Sequence, residues 1–150
     1  MANGIINDIY LNTEYSDKLS EQYSKAEPCK YLVMENFFTK EIANDLFENF
    51  PSIKDLNVKR KSLNEEKSED YHFERWHTSF AKIREAVSSS QWYEQLSRIT
   101  GIEGLHTTTD ALGSGVHQGK NGSYVDIHID VNMNPKLGLW RRINLLVYLN

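Results

Sequence analysis

Cysteine is almost missing from this 150-residue chain. Cys29 stands alone, so no internal disulfide can form, and a reducing compartment, the cytoplasm, is the default expectation. Long apolar runs are missing too: none approaches the ~20 residues that span a bilayer. The opening MANGIINDIY lacks the basic stretch and apolar core of a secretion signal, so no membrane partner is expected. Nor is there an excess of positive charge. Against 21 Asp plus Glu stand 17 Lys plus Arg, and the net charge of -4 offers no field to gather nucleic acid or anionic lipid. The one basic run, Lys59-Arg60-Lys61, is followed by Glu65, Glu66, Glu69 and Asp70 and reads as solvated surface.

What is present suits one domain with one core, at 39% hydrophobic residues. Residues 1–29 lack a sustained period and read as a leader, partly helical around 16–24; residues 30–150 read as the domain. Residues 31–34 read as a short strand. Ile42, Leu46, Phe47 and Phe50 then recur at helical spacing, with Thr39 as N-cap and Pro51 as the stop. Residues 52–70, dense in charge, read as a long exposed loop. Phe80, Ile83 and Val87, then Trp92, Leu96 and Ile99, predict two helices over 79–87 and 90–100, the second capped by Gly101.

Beyond Gly101 the period changes. Residues 105–112 are rich in Thr, and Gly113, Gly115, Gly119 and Gly122 punctuate the next ten residues, so short strands and turns are expected. Residues 124–131 alternate strictly, with Asp126, His128 and Asp130 on one face and Val125, Ile127, Ile129 and Val131 on the other. Residues 132–138 form a turn around Pro135, and 142–150 read as a second strand.

His128 and Asp130, two apart on a strand, project from one face and can reach one ion while Ile129 packs into the opposite layer. That is half of a facial triad, in which two histidines and one carboxylate leave three positions of an octahedral iron open. Spacing alone is weak, because such a pair arises by chance in roughly a quarter of chains with this composition. His72-Phe73-Glu74 has the same spacing and reads as surface or helix-start residues. On spacing alone, the wet face of a half-exposed strand is the simpler reading of 126–130.

The longer pattern is more specific. GSGVHQ at 113–118, GSYVDIHID at 122–130, NPKLG at 134–138 and RRINLLVYLN at 141–150 occur in that order. Together they resemble the prolyl-hydroxylase-like branch of the iron(II)- and 2-oxoglutarate-dependent oxygenases. The segments 31–51 and 92–105 are also similar to that group, and the resemblance covers most of 30–150. It implies an α+β fold built on a double-stranded β-helix, a cupin-like jelly roll with N-terminal helices packed on one sheet. It assigns His128 and Asp130 as iron ligands and Tyr148 as a hydroxyl donor to the far carboxylate of 2-oxoglutarate. His117, Gln118 and Asn144 would line the same pocket, touching cosubstrate or substrate, while Arg141 and Arg142 read as surface or structural residues.

The activity so implied is dioxygenase chemistry with Fe(II), 2-oxoglutarate and O2, and with ascorbate as an accessory reductant. It hydroxylates an unactivated C–H bond of an amino-acid, peptidyl or small-molecule substrate. A carboxylate at 130 argues for hydroxylation over halogenation, since related halogenases carry a small residue there. Members of the family continue past the Tyr-Leu-Asn strand into a second histidine ligand and a cosubstrate-anchoring Arg or Lys. His72, His77, His106 and His117 all precede the motif and occupy none of those positions. The expectation is therefore a domain cut short: a fragment of a longer enzyme, ahead of an inactive remnant or half of a split barrel completed by another chain. A noncatalytic jelly-roll binding or scaffold domain is the alternative from a different class.

Overall fold

A computed structural model describes residues 2–108, 110 and 113–149. The chain folds as α+β, with four α-helices gathered in the first hundred residues and small antiparallel sheets. Helix α1, Thr13–Lys25, is capped by Asn12, whose side chain accepts a hydrogen bond from Tyr15 N at 3.0 Å. Helix α2, Lys40–Glu48, starts after Thr39 as expected and buries Ile42 and Leu46. Its cap differs in detail, because the Thr39 hydroxyl donates instead to the Gly4 carbonyl at 3.2 Å, joining the helix start to the N-terminal segment. Helices α3, Thr78–Val87, and α4, Ser90–Thr100, lie where the apolar spacing predicts, and Gly101 ends α4 in the left-handed conformation at φ 70°.

The segment expected to be a leader supplies part of the core. Ala2, Ile6, Tyr10 and Leu19 are buried with Phe37, Phe38, Ile42, Leu46, Phe80, Trp92 and Ile99. Phe37 sits among Tyr10, Phe38 and Trp92 at centroid distances of 5.6, 5.0 and 5.0 Å. Each such side chain contributes roughly 1.5–3 kcal/mol of burial, so the first 25 residues are bound to the fold by their side chains. Inside the α1–α4 contact, Ser16 Oγ donates to Gln95 Oε1 at 2.8 Å.

Several expected strands and loops are corrected. Residues 31–34 form no strand: Leu32 and Met34 pack against the core while Tyr31 and Val33 face out. The alternation is obeyed, but no neighbouring strand supplies a ladder. Residues 52–70, expected as a loop, contain the hairpin β1, Val58–Lys61, and β2, Glu65–Asp70. It is held by charge in place of apolar faces: Lys61 pairs with Glu66, and Arg60 bonds diagonally to Glu69. Residues 105–108 form no strand, and the rest of the Thr-rich stretch, at 109, 111 and 112, lies outside the described residues.

On the other edge of β2 lie β3, Val116–Gln118, and β4, Tyr124–Val125, both antiparallel to it. Gly115 lets β3 close in, since a Cβ there would meet the Asp70 carbonyl at 2.7 Å. Val116 then carries the sheet into the helical core. After β4 the alternating segment leaves the ladder, and Ile129, expected to pack into a core layer, is 92% exposed. A period of two decides which side chains share a face; burial needs a second layer, and no described element covers this one. The two-stranded ribbon β5, Met133–Asn134, and β6, Leu139–Trp140, comes next. Of the strand expected over 142–150, residues 142–149 run on without a ladder partner, and residue 150 lies outside the described residues. Among the described residues no helix is long and apolar enough to cross a membrane.

Candidate metal centre

The ribbon turn sets the geometry of the site. Asn134, buried, accepts hydrogen bonds at Oδ1 from Lys136 N and Leu137 N at 3.0 and 3.2 Å, an Asx turn built around Pro135. Its amide nitrogen donates to Asp110 Oδ2 at 2.8 Å, anchoring the turn to the preceding segment. Met133 pairs with Trp140, and Arg141 N donates to the Asn132 carbonyl at 2.8 Å. Residues 141–144 are thereby laid alongside 129–132. Between them runs an open groove of about 250 Å³, lined by 129–132 and 141–144.

At this groove His128 and Asp130 meet. His128 Nδ1 lies 2.8 Å from the Asp126 carbonyl, which can only accept, so Nδ1 carries the proton of that bond. Nε2 is left facing Asp130 Oδ1 at 3.3 Å. Two lone-pair-bearing atoms so placed repel unless a cation lies between them, either a proton on Nε2 or a metal ion. The separation also suits two cis donors of one six-coordinate ion, which at about 2.1 Å each would stand on the order of 3 Å apart. The backbone bond on Nδ1 is the support that fixes a metal-ligating histidine in its tautomer and ring orientation.

The second oxygen of Asp130 is occupied. Arg141 Nη1 lies 3.1 Å from Oδ2, and Asn144 Nδ2 donates to the same atom at 3.2 Å. His128 and Asp130 are thus two candidate donors facing one point. Among the described residues, no group of three or more His, Cys, Asp or Glu is placed to hold an ion.

The other expected site residues divide. Asn144 joins the pair, on the carboxylate of Asp130. Tyr148 is exposed on the 141–149 arm and does not line the groove. His117 lies in β3 opposite Glu69, its Nδ1 3.6 Å from Glu69 Oε2. Partial desolvation of this half-exposed ring pushes its pKa below the ordinary 6.5, as do Lys67 and Arg60, against the opposing pull of Glu69 and Asp130. Gln118 pairs with Ser68 across the ladder, and its buried Oε1 has no hydrogen-bond partner among the described residues.

Sequence reasoning missed two features. One is the role of Arg141, read as surface or structural; the Asn134-Pro135…Gly138 turn carries the signal, because it fixes the register that puts 141–144 beside 129–132. The other is Glu69, 2% exposed within a segment expected to be loop. It accepts from Arg60 Nε and from Tyr71 Oη, the latter at 2.5 Å, with Lys67 Nζ 3.3 Å away. No protein-family model matches the chain, and no curated protein matches it.

Proposed function

We propose that this chain carries the His-x-Asp part of the metal site of an Fe(II)- and 2-oxoglutarate-dependent dioxygenase of jelly-roll type. Its reaction is hydroxylation of an unactivated C–H bond in an amino-acid, peptidyl or small-molecule substrate. One observation carries the reading: His128 Nε2 and Asp130 Oδ1 face each other at 3.3 Å, the histidine held from behind by the Asp126 carbonyl on Nδ1 and the carboxylate by the Asn144 amide on Oδ2. When bound, iron would supply the oxidative chemistry, with O2 as oxidant and 2-oxoglutarate as co-reductant, substrate hydroxylation being balanced by release of succinate and CO2. His128 and Asp130 would hold the ion. Asn144 and Arg141 orient the carboxylate, and the groove beside it would receive the small molecules. The resemblance alone assigns Tyr148, His117 and Gln118, none of which lines the groove, to cosubstrate or substrate, with ascorbate as accessory reductant.

A second reading is favoured by a different observation. Asp130 already has a cationic partner in Arg141, so the cluster also works as a structural ion network of a noncatalytic jelly-roll domain. Anaerobic addition of Fe(II) and 2-oxoglutarate separates the two. The enzyme reading expects the weak visible charge-transfer band of the chelate, its loss in His128→Ala, and succinate once oxygen is admitted. Neither band nor succinate would leave the structural reading in place.

A further inference from the structure

Arg141 and Asn144 approach Asp130 from the same side. Arg141 Nη1 forms an ion pair with Oδ2 at 3.1 Å and Asn144 Nδ2 donates to the same oxygen at 3.2 Å, while Oδ1 faces His128. A free carboxylate rotates about its Cβ–Cγ bond and presents either oxygen, or both. One pinned by a guanidinium and an amide on a single oxygen presents the other in a fixed direction.

Arg141 is itself held. Its backbone N–H is tied to Asn132 on the opposite arm, and its side chain is largely buried. Its guanidinium lies over Gly113, where any Cβ would collide with Nη2. Gly113, at φ 76°, serves as the seat of the cation. The arginine thus lines the groove wall with its guanidinium over a glycine 28 residues earlier in the chain.

We infer that Arg141, seated on Gly113, acts with Asn144 as a positioning residue that keeps Asp130 a one-oxygen ligand aimed at the ion shared with His128. The inference rests on the proposed metal site and names what holds it in shape. It makes a prediction of sign. A cation 3.1 Å from a carboxylate that did no more than compete with the metal would weaken metal binding, and its removal would tighten it. A positioning cation does the opposite.

The experiment is titration of the full chain with Mn(II), the free ion followed by electron paramagnetic resonance. Relative to wild type, Arg141→Met is expected to weaken binding by roughly 10–100-fold, the range found when partners behind metal ligands are removed. Arg141→Lys should recover part of that loss. Gly113→Ala, whose Cβ would displace the guanidinium while leaving its charge in the chain, should reproduce the arginine defect, and Asn144→Leu, at an exposed position, should give a smaller loss in a chain that still folds. Circular dichroism melts confirm which variants are folded, and Asn144→Leu decides the matter if the others are not. If wild type binds Mn(II) and the folded variants bind it equally or more tightly, the inference is overturned while the metal site stands. If wild type and His128→Ala fail alike to bind, the metal site falls and the inference with it.

Discussion

Ser16 in α1 donates its hydroxyl to Gln95 Oε1 in α4 at 2.8 Å, with both residues buried and 79 positions apart. This bond joins a segment that reads as a loose leader to a helix of the core. Removing the hydroxyl strands a buried amide oxygen without giving any apolar group a better fit. Ser16→Ala is expected to cost about 1–3 kcal/mol, read as a lowered urea midpoint at unchanged slope. A loss within error of zero would mean that the α1–α4 contact is not formed in solution.

Gly115→Ala tests the approach of β3 to β2. A Cβ at this position meets backbone, the Asp70 carbonyl at 2.7 Å, and backbone cannot step aside as a flexible side chain does. The expected loss is about 1–3 kcal/mol, as for other overpacked sites. Faster amide exchange should appear at Val116 and Gln118. Stability unchanged in this variant would contradict the close β2–β3 register.

Acid should weaken the fold in two stages. His117 has its pKa lowered below 6.5, so the folded state takes up its proton less readily than the unfolded chain, and stability is lost as pH falls from about 6.5 toward the folded value. For Glu69, burial pulls the carboxyl up, but hydrogen bonds from Tyr71 and Arg60 and the charges of Lys67 and Arg60 outweigh it and hold the pKa below 4.5. Its stabilisation is complete above that value and fades as pH falls below it. Urea midpoints measured from pH 8 to pH 3 should decline first through the histidine window and again in the carboxylate window. His117→Asn should erase the first decline and Glu69→Gln the second. A wild-type midpoint flat between pH 6.5 and 5 would remove His117 from the account.

Helices α2, α3 and α4 were legible because each writes its buried face at three- and four-residue spacing, as with Phe80 and Ile83 or Trp92, Leu96 and Ile99. The hairpin at 58–70 was not, because its strands are joined by Arg60, Lys61, Glu66 and Glu69, and charge alternation resembles solvated loop until a partner strand is known. The alternation of 124–131 correctly put His128 and Asp130 on one face. It also placed Ile129 in a core layer, which alternation cannot decide, since a buried face depends on what lies opposite. At the site, the two facing donors were visible as a motif. The grip of Arg141 and Asn144 on Asp130 was not, because it depends on the Asn134 turn register and on the space above Gly113, neither of which a tripeptide records.

The central claim is that His128 and Asp130 together take a divalent ion. Amide NMR of the full chain with substoichiometric Mn(II) tests it most directly, because paramagnetic broadening marks the residues nearest the ion. The account predicts that signals of 126–132 and 141–144 broaden first in wild type and are spared in His128→Ala. Broadening that begins at the acidic strand Glu65–Asp70, or that is identical in the two proteins, would contradict it.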